Sequence, residues 1–362
     1  MLLTKISARL PTELIYLVIK STTKDTQARL AAVSRHVYSI SIRSLYASIP
    51  DMSVTRTTQC LLTLSKRPDL ANLVQSFSFG LPLSPHFLQA FLVLLSRALH
   101  NMNNLRVLSL DMDAPLPINL LNQISGRLTK LTCILPPEGS YPISQLLSNQ
   151  PTIEELHIVC RPEDISTLSP ESLPALKVLT APTWILNTLL SLRLTHLSRL
   201  CILDIMELPE LLTVLMAFIT LPSPPESMQL VIHVKISSDW IPTAALFHAL
   251  VALSQGILCI SSLRLYTYGD ITCQEELQDM FASNLSEFPR LDTSRLTFRP
   301  VTSDEYINNS ARFQSMQTPL GGGSLQNAMR HMSNVVAKLL STLATLSSPS
   351  APQAEPNQTQ AN

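Results

Sequence analysis

The sequence predicts an α/β fold, in which parallel strands are joined by helical crossovers and a small module of three helices precedes them. A strand-like hexad, apolar-x-x-apolar-x-apolar, recurs nine times along the chain, and helix-like apolar stretches lie between the copies. The first hexad begins at residue 74, so residues 1–50 are expected to form a separate unit. Strands that alternate with helices in this way are typical of parallel sheets.

The nine hexads start 23 to 33 residues apart. Their alternation places the last two apolar residues of each hexad on the same face of a strand. The hexads are VQSFSF (74–79), LRVLSL (105–110), LTKLTC (128–133), IEELHI (153–158), LKVLTA (176–181), LCILDI (200–205), QLVIHV (229–234, with a polar first residue), ISSLRL (260–265) and TSRLTF (293–298). The helices predicted between them are HFLQAFLVLLSRALHNM (86–102), ISQLLSN (143–149), TWILNTLLSLRL (183–194) and ELLTVLMAFIT (210–220).

The hexads resemble the L-x-x-L-x-L core of leucine-rich repeats. This resemblance implies a solenoid over residues 51–300. In that family an Asn or Cys at the third position after the hexad links neighbouring turns, but Asp113 and Arg161 stand there in this chain. The resemblance therefore implies an irregular solenoid. An ordinary doubly wound α/β domain shares the alternation of strands and helices and stays open as an alternative.

The first helix of the N-terminal module is predicted from RLPTELIYLVIK, residues 9–20. Pro11 suits the first helical position, where its missing N–H costs nothing. Glu13 in the first turn interacts favourably with the helix dipole. Leu14, Leu17 and Val18 line one stripe of this helix.

Two more helices are expected before residue 50. Asp25 can cap the second helix, whose apolar residues recur at three- and four-residue spacing. These residues are Leu30, Val33, Val37 and Ile40. A third, shorter segment carries Ile42, Leu45, Tyr46 and Ile49. Three short helices make a small core, which usually gains stability from a partner.

This module resembles the F-box, the trihelical motif that docks onto the Skp adaptor subunit of cullin-type ubiquitin ligases. Leu10-Pro11-Thr12-Glu13-Leu14 matches its opening L-P-x-E-L, and Val33-Ser34-Arg35 matches its V-S-R at a fitting distance. Leu45-Tyr46 with Ile49 resembles the closing L-Y-x-x-I of fungal F-boxes. The resemblance implies that the Skp subunit contacts Leu10, Pro11, Glu13, Leu14, Val18, Leu30, Val33, Ser34, Arg35, Val37, Leu45 and Tyr46.

The function that follows from these resemblances is a non-enzymatic substrate adaptor in the cytoplasm, the nucleus or both. The F-box would hold the ligase complex, and the repeats would bind a protein target whose identity the sequence does not give. The alternative is a non-catalytic repeat scaffold whose N-terminal helices only cap the first edge of the array, since arrays need a polar terminal unit.

Catalytic, metal and cofactor sites are not indicated. The eight histidines lack metal-binding spacing, and the six cysteines include no C-x-x-C pair. PLGGGS (319–324) lacks the lysine of a phosphate-binding loop.

The N-terminal module is positively charged. Residues 1–50 carry seven Lys/Arg against two Asp/Glu, which favours an acidic partner. Clustered basic and aromatic residues are too few to indicate nucleic acid.

The uncharged stretch 240–263 has the length of a membrane span. Pro242 and the polar break at 254–256 favour a short helix followed by a strand instead, so no membrane contact and an intracellular protein are expected. The start of the chain is too short and too charged for a signal peptide.

Towards the C-terminus we expect a linker (301–324), an amphipathic helix with a heptad pattern (325–346) and a disordered tail (347–362).

Overall fold

The fold was analysed in a computed structural model. It describes residues 11–81, 88–112, 120–135, 141, 143–192, 194–206, 225–235, 259–269 and 293–300, together with Glu210, Leu211, Val214, Phe218 and Asp279. Several predictions fall outside these residues: Leu10, the helical part of 240–263, and the linker, helix and tail expected beyond residue 300.

Three helices open the described chain: α1 (Thr12–Ser21), α2 (Lys24–Ala31) and α3 (Arg35–Ala47). The prediction that the second helix continues to Ile40 is wrong, because a turn separates α2 from α3. Ser34 ends that turn, and its hydroxyl accepts a hydrogen bond from the backbone N–H of Val37 at 3.2 Å. The apolar spacing continues across the break, so periodicity alone does not reveal it.

The helix starts also differ from the prediction by one or two residues. Pro11 is the capping residue of α1 instead of its first helical residue. Thr23 caps α2, and its hydroxyl accepts a hydrogen bond from the backbone N–H of Thr26 at 3.4 Å. Asp25 lies in the first turn of α2, where a carboxylate favours the positive end of the helix dipole.

The described residues contain ten strands in one sheet: β1 (Ser48–Ile49), β2 (Ser76–Leu81), β3 (Val107–Met112), β4 (Lys130–Ile134), β5 (Glu155–Val159), β6 (Val178–Ala181), β7 (Arg199–Met206), β8 (Met228–Lys235), β9 (Ile260–Gly269) and β10 (Thr293–Pro300). Each strand pairs in parallel with the next one in the chain. The prediction of an α/β fold with a parallel sheet is confirmed, and each hexad overlaps one of the strands β2–β10. The sequential order differs from doubly wound sheets, in which the strand order reverses.

Helices connect several of these strands. They are α4 (Val54–Lys66), α5 (Pro68–Ala71), α6 (Leu88–Asn101), α7 (Ile143–Ser148), α8 (Pro162–Ile165) and α9 (Thr183–Leu190), with a short 3-10 turn at Leu121–Gln123. The helices predicted in 86–102, 143–149 and 183–194 are therefore confirmed with shorter bounds. In the segment 210–220, Leu211, Val214 and Phe218 are helical and buried, at a spacing that places them on one helix face.

The hydrophobic core lies between the sheet and these helices. Leucines in register on neighbouring strands form a fully buried row: Leu108, Leu131, Leu156, Leu179 and Leu200. Each contributes about 1.5–3 kcal/mol by leaving water. The residues that alternate with this row are partly exposed on the opposite face of the sheet. We call this side, as the described residues form it, the uncovered face.

Polar side chains link successive strand segments at the edge where the strands begin. Asn104 Nδ2 donates to the carbonyl oxygen of Asn72 at 2.7 Å, and Thr152 Oγ1 donates to that of Leu128 at 2.7 Å. An asparagine makes the first of these contacts and a threonine makes the second. The described contacts therefore do not repeat one residue type from segment to segment.

Candidate docking surface on the N-terminal helices

Helix α1 packs one apolar stripe against the other two helices. Ile19 is 1 % exposed, and Ile15 on the same side is partly buried. Polar contacts fix both ends of the helix. Thr12 Oγ1 lies 3.4 Å from His36 Nε2 at the start of α3, and the buried Gln27 donates from Nε2 to the carbonyl oxygen of Ile19 at 2.9 Å. The orientation of α1 is therefore set by both packing and hydrogen bonds.

The outer side of α1 carries a second apolar stripe. Leu14, Leu17 and Val18 are 49 %, 58 % and 58 % exposed. A surface helix normally has one apolar face, and a helix that is apolar on both faces is typical of one covered on both sides. The outer stripe of α1 thus has the composition of an interface without a described partner in this chain.

Other exposed apolar side chains occur close by in sequence. Six of the nine exposed large apolar side chains among the described residues lie between residues 14 and 38. They are Leu14, Tyr16, Leu17, Val18, Val33 and Tyr38. Such concentrations of exposed apolar residues mark interaction sites more often than scattered single residues do.

The structure places the predicted docking residues in two groups. Those that are exposed are Pro11, Glu13, Leu14, Val18, Val33, Ser34 and Arg35. Those that are partly buried are Leu30, Val37, Leu45 and Tyr46. Ser34 uses its hydroxyl to cap α3, and Tyr46 packs against the core of the sheet. These two side chains therefore have structural contacts within the chain.

Lys24 and Gln27 hold the module together, and sequence reasoning missed both. Lys24 Nζ donates to the carbonyl oxygens of Ser44 and Leu45, at 2.8 and 3.0 Å. It thus provides a hydrogen-bond donor for two carbonyl groups in the last turn of α3. Partial burial lowers the pKa of Lys24. No local pattern predicts these contacts, because the Lys24 contacts span about twenty residues and the Gln27 contact crosses between two helices.

The surface of the module is positively charged. Between residues 11 and 50 the exposed side chains include five Lys/Arg and two Asp/Glu, a net charge of +3. The cations are Lys20, Lys24, Arg29, Arg35 and Arg43, and the acids are Glu13 and Asp25. An apolar stripe on a positive surface suits a partner whose apolar groove has an acidic rim.

The described residues offer little reactive chemistry. Among them, no group of three His, Cys, Asp or Glu side chains is arranged to hold a metal ion. Cys60, Cys133, Cys160, Cys201 and Cys259 are free thiols. Burial raises the pKa of Cys60 to about 11 and that of Cys133 to about 12, which disfavours the nucleophilic thiolate. In the same part of the chain, the helices are too short or too polar to cross a membrane.

Comparison with known proteins adds no information on function. No protein-family model matches the chain, and no curated protein matches it. The docking interpretation therefore depends on the geometry of these three helices and on the motifs they carry.

Proposed function

We propose that the protein is a non-enzymatic substrate adaptor of a cullin-type ubiquitin ligase. In this proposal the N-terminal helices are an F-box-like module that binds the Skp adaptor subunit. The following sheet and helices are an irregular leucine-rich-repeat solenoid that binds a protein target. The observation that carries the proposal is the outer stripe of α1, where Leu14, Leu17 and Val18 are about half exposed.

The outer stripe can supply a useful part of a binding energy. Covering the exposed half of three aliphatic side chains contributes on the order of 3 kcal/mol. A micromolar complex has a binding free energy of about 8 kcal/mol. Further contacts are needed to offset the entropy lost on association, and Val33 and the basic residues around α1 are available for them.

The spatial relationship of the two sequence motifs supports the same function. Pro11 begins α1, and Ser34 begins α3. The contact between Thr12 and His36 brings these two helix starts together. The described part of the first motif, which begins at Pro11, therefore lies close to Val33-Ser34-Arg35, and this favours a shared docking surface.

The sheet supports the solenoid part of the proposal. Its strands follow one another in sequence order, and the eight hexads between residues 74 and 265 contribute buried residues to the same side of the sheet. Repeating units that contact mainly their neighbours are characteristic of solenoids. The uncovered face is then available to a target.

Binding to purified Skp subunit, measured by titration calorimetry, tests the adaptor function. We expect the double variant Leu14→Ala/Val18→Ala to bind at least about tenfold more weakly than the unmodified protein, with an unchanged circular dichroism spectrum. Leu62→Ala is a matched control, because Leu62 is 41 % exposed on α4. Failure of the unmodified protein to bind, or equal binding of the double variant and the control, would contradict the proposal.

A second candidate function is a scaffold in which the N-terminal helices only cap the sheet. It is favoured by the junction between the two parts: β1 pairs with β2 directly after α3, and Ile42 and Tyr46 pack against the core of the sheet. Under this alternative, deleting residues 1–50 unfolds the first strands, and no ligase subunit co-purifies with the intact protein. Co-purification of the Skp subunit would exclude a purely structural role.

A further inference from the structure

The uncovered face of the sheet changes in chemistry along the row of strands. On β2 to β4 a row of small hydroxyl side chains crosses this face, with Ser78, Ser109 and Thr132 in register. Asp111 on β3 adds a carboxylate to this part of the face. This row is therefore polar, and it lies beside the apolar Val107 and Ile134.

On β7 to β9 the same face carries arginines beside apolar and aromatic side chains. Ile205, His233 and Tyr266 are in register on three successive strands. The rings of His233 and Tyr266 stack, with their centroids 4.8 Å apart and an angle of 9° between their planes. Arg199 is exposed and Arg264 is partly exposed. We call these five residues the arginine–aromatic patch.

The register fixes the spacing of the two arginines. Arg199 on β7 is in register with Gln229 on β8, which is in register with Ser262 on β9. Arg264 follows Ser262 by two residues, so it lies two strands away from Arg199 and two residues further along the strand direction. Strand spacing and residue rise put their Cα atoms about 12 Å apart. That distance is close to the separation, about 13 Å, of side chains four residues apart on one side of an extended chain.

The patch lacks negative charge on the described strands. On the uncovered face of β6 to β9 the described residues include no Asp or Glu, since Asp204 of β7 lies on the covered side. By contrast, Lys130 on β4 pairs with Glu155 on β5 at 2.6 Å. Arg199 and Arg264 form no ion pair with a described carboxylate, including Glu226 in the loop before β8. Two guanidinium groups are thus available for carboxylates from outside.

We propose that the arginine–aromatic patch uses Arg199 and Arg264 to bind an extended segment of a partner protein that carries acidic side chains at alternate positions. Arginine binds carboxylates through two parallel hydrogen bonds and is well suited to interfaces. Successive side chains of an extended segment point to opposite sides, so the acidic side chains reach the two arginines while the residues between them point away from the sheet. The row of Ile205, His233 and Tyr266 lies beyond Arg264 along the strands and borders this site. This inference rests on the proposed role of the sheet as the target-binding part of an adaptor, and it specifies the chemistry of the target.

Fluorescence anisotropy with short labelled peptides tests the proposal on the full chain. The probes are a peptide of alternating Glu and Leu, the same peptide with Gln for Glu, and a single-stranded oligothymidylate. We expect the Glu peptide to bind about tenfold more tightly than the Gln peptide at low salt. The double variant Arg199→Gln/Arg264→Gln should lose this preference. Arg97→Gln, which removes an exposed charge from α6, should keep it.

Equal binding of the Glu and Gln peptides would overturn the proposal, and so would a preference that survives in the double variant. Tighter binding of the oligothymidylate than of the Glu peptide would also overturn it, because the patch would then recognise phosphate backbones. Binding to the Skp subunit, measured on the same preparations, separates the two proposals. The patch variants should leave that binding unchanged, and Leu14→Ala/Val18→Ala should leave peptide binding unchanged.

Discussion

The side chain of Gln150 is joined to Gly126 across two successive segments of the sheet. Its Nε2 donates to the carbonyl oxygen of Gly126 at 2.9 Å, while its Oε1 accepts from the backbone N–H of Leu128 at 2.9 Å. Gln150 is 5 % exposed, so water cannot readily replace these bonds. One amide therefore satisfies two backbone groups at the point where the chain enters β4.

Replacing Gln150 should destabilise the sheet. Gln150→Ala leaves a buried carbonyl and a buried N–H without partners, and we expect the free energy of unfolding to fall by roughly 2–4 kcal/mol. Gln150→Glu should lower it by at least as much, because a carboxylate cannot donate to Gly126. Urea denaturation measures both variants. A loss below about 1 kcal/mol for Gln150→Ala would mean that the two backbone groups find other partners.

Gly126 itself should tolerate no side chain. A Cβ atom at this position would lie 2.6 Å from the backbone oxygen of Leu105, and backbone cannot move aside as a flexible side chain can. We expect Gly126→Ala to lower the free energy of unfolding by about 1–3 kcal/mol. Gly80→Ala is the matched control, because its Cβ would meet only side-chain atoms, at 3.4 Å or more. Equal losses in the two variants would contradict this explanation.

The strands could be predicted from the sequence because their pattern is local. In most hexads the alternation of apolar residues directly reports the buried side of a strand, and burial of Leu131 or Leu179 follows from it. In LCILDI (200–205) it does not, because the last two apolar residues, Leu203 and Ile205, lie on the uncovered face. Strand β1 could not be predicted, since two residues carry no period. The contacts of Gln150 were equally hidden, because their partners are more than twenty residues away.

The candidate site was predictable only in part for a different reason. Leu14, Leu17 and Val18 form a stripe in the sequence, but a stripe does not reveal whether it faces the protein or the solvent. The neighbouring Ile15 and Ile19 supply a second stripe, and it is this one that the other helices cover. Which stripe faces inward depends on contacts such as Thr12 with His36, which lie outside any local window.

The two stripes of α1 should respond differently to mutation. Ile19 is 1 % exposed and Leu17 is 58 % exposed. We expect Ile19→Ala to lower the free energy of unfolding of the module by about 2–4 kcal/mol, because it leaves a cavity. Leu17→Ala should change it by less than about 0.5 kcal/mol. Thermal denaturation followed by circular dichroism measures both. A large loss for Leu17→Ala would show that the outer stripe is already covered within the chain.

Asp204 is an acidic side chain on the covered face of the sheet, with 7 % of its surface exposed. Its Oδ2 accepts hydrogen bonds from the backbone N–H and the hydroxyl of Thr183, at the start of α9. Burial nevertheless raises the pKa of Asp204, although these bonds act in the opposite direction. The folded protein therefore holds a proton on this group more tightly than the unfolded chain does.

Stability should depend on pH through Asp204. Because its pKa is raised on folding, its contribution is most favourable below the pKa of an unfolded aspartate, about 4. That contribution is lost as the pH rises through the folded pKa. Asp204→Asn removes this titration, so we expect the stability of the variant relative to the unmodified protein to increase from about pH 4 to pH 7. Urea denaturation across that range measures the difference.

Asp69→Asn is the control: Arg67 lowers the pKa of this exposed group, so any small change should have the opposite sign. Parallel pH profiles for Asp204→Asn and the unmodified protein would mean that Asp204 titrates alike in both states.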